Sequence, residues 1–124
     1  MNDNTQKKPE VYVEERPWGK FEQFTHNEIS TVKILTVKPH EQLSIQYHHK
    51  RDEFWRVIKG SVKVRKGDTW SEAHEGDEFF IPRETVHSLA GADEEGKVLE
   101  IAFGDFDEND NIRIEDKYGR SSPA

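Results

Sequence analysis

Apolar and polar residues alternate over short distances through the middle of the chain, and no stretch repeats its apolar positions at the three-to-four-residue spacing of an amphipathic helix. The runs 29–38, 42–47, 53–59, 61–65, 78–81, 86–90 and 97–103 are rich in β-branched and aromatic side chains, as strands are. Turn-forming residues separate them, at Pro39-His40-Glu41, Lys59-Gly60, Lys66-Gly67-Asp68, Glu75-Gly76-Asp77, Pro82-Arg83 and 91–96. Short strands at intervals of about 8–12 residues predict an all-β sandwich or barrel. Residues 1–10 and 121–124 are polar and aperiodic, and read as flexible tails around one domain over 11–120. There is no internal repeat. The acidic stretch 105–110 lacks the ligand spacing of an EF-hand loop and reads as a solvated turn.

Composition narrows the picture. The 124 residues hold one domain, with 32% hydrophobic and 35% charged residues, close to the border of disorder. Three Trp, three Tyr and seven Phe offset this, because each large ring buries much area. The net charge of −7 argues against nucleic acid and anionic membranes as partners. No apolar run approaches the roughly 18 residues of a membrane span, and Met1-Asn2-Asp3-Asn4 lacks the apolar core of a signal peptide, so a cytoplasmic protein is expected. Without Cys, any metal must be held by oxygen and imidazole nitrogen. Charge is also uneven: residues 38–66 carry eight basic residues against three acidic, net +5, leaving −12 for the rest. Such a segment suits an anionic small ligand such as a sugar phosphate, or Lys-bearing strand edges that discourage pairing.

Potential ligands are densest in the run 46–55. Strand alternation puts Gln46 and His48 on one face, and a hairpin would return Glu53 opposite them. Downstream, the chain turns at Pro82 and re-enters a strand carrying His87. Two imidazoles, a carboxylate and an amide oxygen suit a divalent ion such as Zn, Mn, Fe, Co or Ni. His26, His49 and His74 read as surface residues.

Gly60 seven residues after Glu53, followed by Gly76, Pro82 and His87, matches the two-part cupin signature, with Gln46 in the place of its first His. The surrounding text resembles the C-terminal cupin domain of type II phosphomannose isomerases, which many bacteria fuse behind a mannose-1-phosphate guanylyltransferase. The matches include Arg16-Pro17-Trp18-Gly19, Lys33, Val37-x-Pro39, Leu43-Ser44-Ile45-Gln46-x-His48 and Arg51-x-Glu53-x-Trp55. They continue through Gly60, Ile81-Pro82, His87-x-Leu89 and Ile112-Arg113-x-x-Asp116-x-Tyr118-Gly119-Arg120.

The resemblance implies a single-domain cupin, a double-stranded β-helix or jelly-roll barrel, with one divalent metal, Zn first, on Gln46, His48, Glu53 and His87. It implies metal-dependent interconversion of mannose 6-phosphate and fructose 6-phosphate, and gives no support for guanylyltransferase activity. Aldose–ketose isomerisation needs a Lewis acid and a proton shuttle. Lys50 and Glu78 are the base candidates beside a metal-bound hydroxide, with Arg51 at the site and Lys33, Arg113 and Arg120 for the phosphate. The chain departs from the family at Lys50 and Phe54, where His is usual, at His40 and Glu84, where Gly is usual, and at Gly91, where Asn is usual. A cupin that binds a sugar or sugar phosphate without turning it over is the competing reading, and a dioxygenase-type metal cupin a third. Leu43, Ile45, Tyr47, Phe54 and Ile58 fall opposite the ligand face, to be covered by a terminal strand or, in a homodimer, by a second subunit.

Overall fold

The computed structural model describes residues 10–107 and 109–115, and these contain eleven strands and no helix. In chain order they are β1 (Tyr12–Arg16), β2 (Gly19–Gln23), β3 (Ser30–Val37), β4 (Ile45–Tyr47), β5 (Arg51–Lys59) and β6 (Ser61–Lys66). There follow β7 (Thr69–His74), β8 (Glu78–Ile81), β9 (His87–Gly91), β10 (Gly96–Gly104) and β11 (Ile112–Glu115). Every pairing is antiparallel. A four-stranded sheet runs β3-β10-β5-β8, a five-stranded sheet runs β11-β4-β9-β6-β7, and β1 and β2 form a separate hairpin. Neighbours distant in sequence in both large sheets make this a jelly-roll sandwich, the expected all-β architecture.

Alternation along the strands builds two clusters. Val37, Trp55, Val57, Ile81 and Val98 of the four-stranded sheet meet Val62, Val64, Ala73 and Leu89 of the five-stranded one, filling the interior. The opposite phase of β5 and β10 buries Phe54, Ile101 and Phe103 on the outer face, where Val11 and Phe24 cover them. The terminal segment, whose Phe24 ring lies 5.9 Å from that of Phe54, thus shields this part of the face. Ile58 remains exposed, while Ile45 is buried and Leu43 packs on the inner cluster.

The differences from the alternation pattern have local causes. Strands β1, β2, β7 and β11 are absent from it because they are polar edge elements: Ala73 is the one buried residue of β7, and none of β1, β2 or β11 is buried. The run 42–47 becomes a strand only from Ile45, since Gln42 makes an isolated bridge to Ala90. Leu43 therefore leaves the alternation assigned to it. Arg16-Pro17-Trp18-Gly19 is the turn of the β1–β2 hairpin, with Trp18 exposed. No described helix is long and apolar enough to cross a membrane. Tail residues 1–9 and 121–124 lie outside the described residues.

Candidate metal centre

At one end of the sandwich the apolar interior gives way to polar side chains. His48 follows β4, Glu53 lies near the start of β5 and His87 opens β9, and all three are buried. The Nε2 of His48 is 3.3 Å from Glu53 Oε2 and the Nε2 of His87 is 3.5 Å from Glu53 Oε1. One ligand atom from each residue lies within 4.8 Å of the others, a spacing able to hold a metal ion. The three do not meet through a β4–β5 hairpin. Strands β4 and β5 belong to different sheets, and Glu53 faces the histidines across the interior.

The backbone sets the direction of both imidazoles. His48 Nδ1 lies 2.9 Å from the carbonyl oxygen of Asp110, and His87 Nδ1 lies 2.9 Å from that of Thr85. A carbonyl only accepts, so each Nδ1 carries the proton and each Nε2 turns a lone pair to the centre. Burial lowers the affinity of His87 for a second proton, against the pull of Glu53, and so favours the neutral ligand form. Burial alone would raise the Glu53 carboxyl. The surrounding polar contacts with His48, His87 and Arg51 outweigh it and keep the group ionised.

Gln46 pairs directly with His87 across the β4–β9 ladder, so the two side chains share a face. Its Oε1 is buried and has no hydrogen-bond partner. A buried amide oxygen without a donor is costly, and a cation would satisfy it. Two imidazole nitrogens, one carboxylate and one amide oxygen fit a first-row divalent ion.

Around these donors, Arg51 is buried and donates from Nε to Glu53 Oε2 at 3.1 Å, while its other nitrogens reach His48 Nε2 and the Asp107 carbonyl, both at 3.3 Å. Trp55 donates to Glu53 Oε1 at 3.1 Å. Lys33 lies on β3 directly across from Glu100 on β10, and Glu100 in turn opposes Trp55. Arg113 opposes Gln46 from β11. The base candidates are not brought to the centre. Lys50 is exposed on the turn before β5, and Glu78 sits on the outer face near Arg56, because its neighbour Phe79 takes the inward phase. Arg120 lies outside the described residues. His26, His49 and His74 are exposed, as expected of surface residues.

Glu100, Phe106 and Asp110 escaped the sequence reading. Glu100 had a visible signal, an acid at the inward phase between Val98 and Ala102 in a stretch otherwise apolar from Val98 to Phe103. Burial first, and then the Glu53 charge, push its carboxyl up to about 7, with Lys33 and Arg51 pulling the other way. Asp110, read as part of a solvated turn, is instead buried, and its carboxylate accepts the backbone N–H groups of His49 and Lys50 at 2.8 to 3.1 Å.

Residues 2–116 match the family model described as mannose-6-phosphate isomerase C-terminal. Mannose-1-phosphate guanylyltransferase ManC of Salmonella typhimurium is 38% identical over 116 residues, covering 90% of this chain and 23% of ManC. Alginate biosynthesis protein AlgA of Pseudomonas aeruginosa is 37% identical over 123 residues, 95% of this chain and 24% of AlgA. The chain thus spans about a quarter of the length of these relatives. Among solved structures, the capsular polysaccharide assembling protein CapF of Staphylococcus aureus superposes at a TM-score of 0.62 with 19% identity, over 86% of this chain and 34% of that one. The Cnp3 cupin domain of Schizosaccharomyces pombe superposes at 0.58 with 12% identity, over 83% and 69%. The fold is a cupin. The expectation of a mannose 6-phosphate to fructose 6-phosphate isomerase is corrected, because the curated relatives bear guanylyltransferase and polysaccharide-biosynthesis names and this chain matches only their C-terminal part.

Proposed function

Because the chain belongs to the mannose-6-phosphate isomerase C-terminal family of cupins, we propose that it is a metal-binding cupin of sugar-phosphate metabolism. It holds one divalent ion, Zn2+ in the first instance, on Gln46, His48, Glu53 and His87. The observation that carries this reading is the convergence of three buried donors, two of them imidazoles whose Nδ1 atoms are tied to backbone carbonyls. A bound ion supplies Lewis acidity to hydroxyl or carbonyl oxygens of a small ligand. The protein's own groups do the rest. Lys33, Arg51 and Arg113 attract an anionic ligand, Glu100 offers a carboxyl to its hydroxyls, and Trp55 keeps water from the inner side.

Under this reading the ligand is a sugar phosphate such as mannose 1-phosphate, and the protein is a cytoplasmic homodimer. Support for pairing is the exposure of Val32, Ile34 and Ile58 on the outer face of the four-stranded sheet.

Metal analysis after Zn2+ loading and desalting is expected to find one ion per chain, and none in His48→Ala or His87→Ala. Thermal unfolding of the loaded protein is expected to shift upward with mannose 1-phosphate and not with mannose. Substoichiometric uptake, or equal uptake by the variants, overturns the metal site. A loaded protein indifferent to phosphorylated sugars overturns the ligand class.

A further inference from the structure

We propose that the outer face of the five-stranded sheet carries a second ligand site, a groove beside Trp70 that takes a neutral oligosaccharide of pyranose rings with equatorial hydroxyls. Strand alternation separates it from the metal centre. On β9, His87 and Leu89 point into the barrel, so Ala90 points to the opposite face. Ladder pairing places Gln42 and Lys63 of β6 on either side of Ala90, and Glu72 of β7 beyond Lys63. Trp70 stands on the same face of β7, two residues before Glu72, and is 40% exposed. The methyl of Ala90 thus lies between longer side chains two strand spacings apart, about 10 Å, which makes a trough. The groove encloses about 430 Å3, within the range of small-molecule sites.

The wall opposite Trp70 is built in advance. Gly91 N donates to the Glu41 carbonyl at 2.8 Å, His40 N to that of Ala92 at 3.2 Å and Leu43 N to that of Leu89 at 2.9 Å. These bonds fasten the segment between β3 and β4 to β9 and the residue after it. Gly91 permits the close approach, since a Cβ there would lie 2.1 Å from the Lys38 carbonyl oxygen. A wall already in place keeps the ordering cost of binding low.

Side-chain chemistry selects the occupant. An indole face takes a flat apolar surface, and a pyranose whose hydroxyls are all equatorial presents only C–H groups above and below its ring. The rim of hydroxyls both donates and accepts, and the Gln42 amide, the Glu41 carboxylate and the Lys63 ammonium offer both functions along the groove. Charge argues against a phosphorylated ligand, because Lys38 and Lys63 are matched by Glu41 and Glu72 and leave no surplus cation. Length follows from a second groove of about 410 Å3, lined by Thr36, Lys38 and Leu43, which shares Glu41 and Gln42 with the first. One ring fills one groove, and linked rings reach across the shared pair.

The test is NMR titration of the full chain with cellotriose, a neutral chain of β-linked glucose rings. It follows the indole N–H signals of Trp18, Trp55 and Trp70, the last assigned by its loss in Trp70→Phe. Cellotriose is expected to move the Trp70 signal, with a dissociation constant of about 1 mM or below, and to leave the other two in place. Read on the backbone amides of Ala90 and Gly91, Trp70→Ala is expected to weaken binding at least about tenfold and Gln42→Ala about threefold, while Trp70→Phe, which keeps a ring, restores part of the loss. Excess chelator is expected to leave the affinity unchanged, since the two sites lie on opposite faces of the sheet. An unmoved Trp70 signal, equal affinity in Trp70→Ala, loss of binding with chelator, or displacement by mannose 1-phosphate overturns the site without touching the metal-centre reading. Indifference to cellotriose together with a dimer that Trp70→Ala converts to monomer overturns it too, and gives this face to a second copy of the chain.

Discussion

His40 and Glu84 hold left-handed backbone, at φ of 60° and 67°, and both stand where the family this chain resembles uses glycine. A side chain there costs about 1–2 kcal/mol against the following carbonyl, partly offset by the greater freedom that glycine has when unfolded. Glu84→Gly and His40→Gly are therefore each expected to raise stability by about 0.5–1 kcal/mol in urea unfolding. Glu84 loses only an exposed 3.3 Å contact with His49 in the exchange. Gly91 is the opposite case. A Cβ there would lie 2.1 Å from the Lys38 carbonyl oxygen, in the turn that holds His40, so Asn has no room at this position. Gly91→Ala is expected to cost about 2–3 kcal/mol, read as a lower urea midpoint at constant m-value.

Glu100 makes stability depend on pH in an unusual direction. Its folded carboxyl keeps a proton up to about pH 7, whereas the unfolded chain releases it near 4.5. Between those values the folded state binds more protons, so stability from this group falls as pH rises. In the presence of chelator, Glu100→Gln is expected to remove that decline, gaining up to about 3 kcal/mol on wild type between pH 4.5 and 7. Parallel curves for the two proteins would show that Glu100 titrates normally.

At the scale of elements, the stretch leading into β11 works as a strap on the metal centre. Asp110 ties the turn after β4 by its carboxylate and aims His48 by its carbonyl, while the Asp107 carbonyl holds Arg51. Asp110→Ala is expected to weaken metal binding about tenfold to a hundredfold in competition with a chromophoric chelator, and Asp110→Asn to weaken it less. Alternation of apolar residues revealed seven strands, because each packs one face on a core. It missed β1, β2, β7 and β11, whose burial comes from pairing more than from their own side chains. The ligand spacing was legible for a related reason. Gln46, His48 and Glu53 lie close in sequence, and His87 follows a proline turn that re-aims the chain.

For the whole molecule, the exposed outer face of the four-stranded sheet separates a monomer from the proposed homodimer. Val32 and Ile34, 57% and 58% exposed, line one edge of it on β3. Sedimentation of wild type as a dimer, and of Val32→Glu/Ile34→Glu as a folded monomer, is the expected outcome; a monomeric wild type removes the dimer. The sequence by itself determined the all-β class, the inward phase of the long strands, and the side chains of the candidate metal site, because these depend on period-two geometry and on spacing along the chain. The tertiary structure decided which sheet each strand joins, and so that Glu53 meets the histidines across the interior. It also decided that Glu78 faces outward, that Glu100 stands beside Lys33, and that Phe106 and Asp110 close over the site. Those contacts join residues up to 73 positions apart, as with Lys33 and Phe106, and the ones within the sheets follow cross-strand register, which no local period encodes.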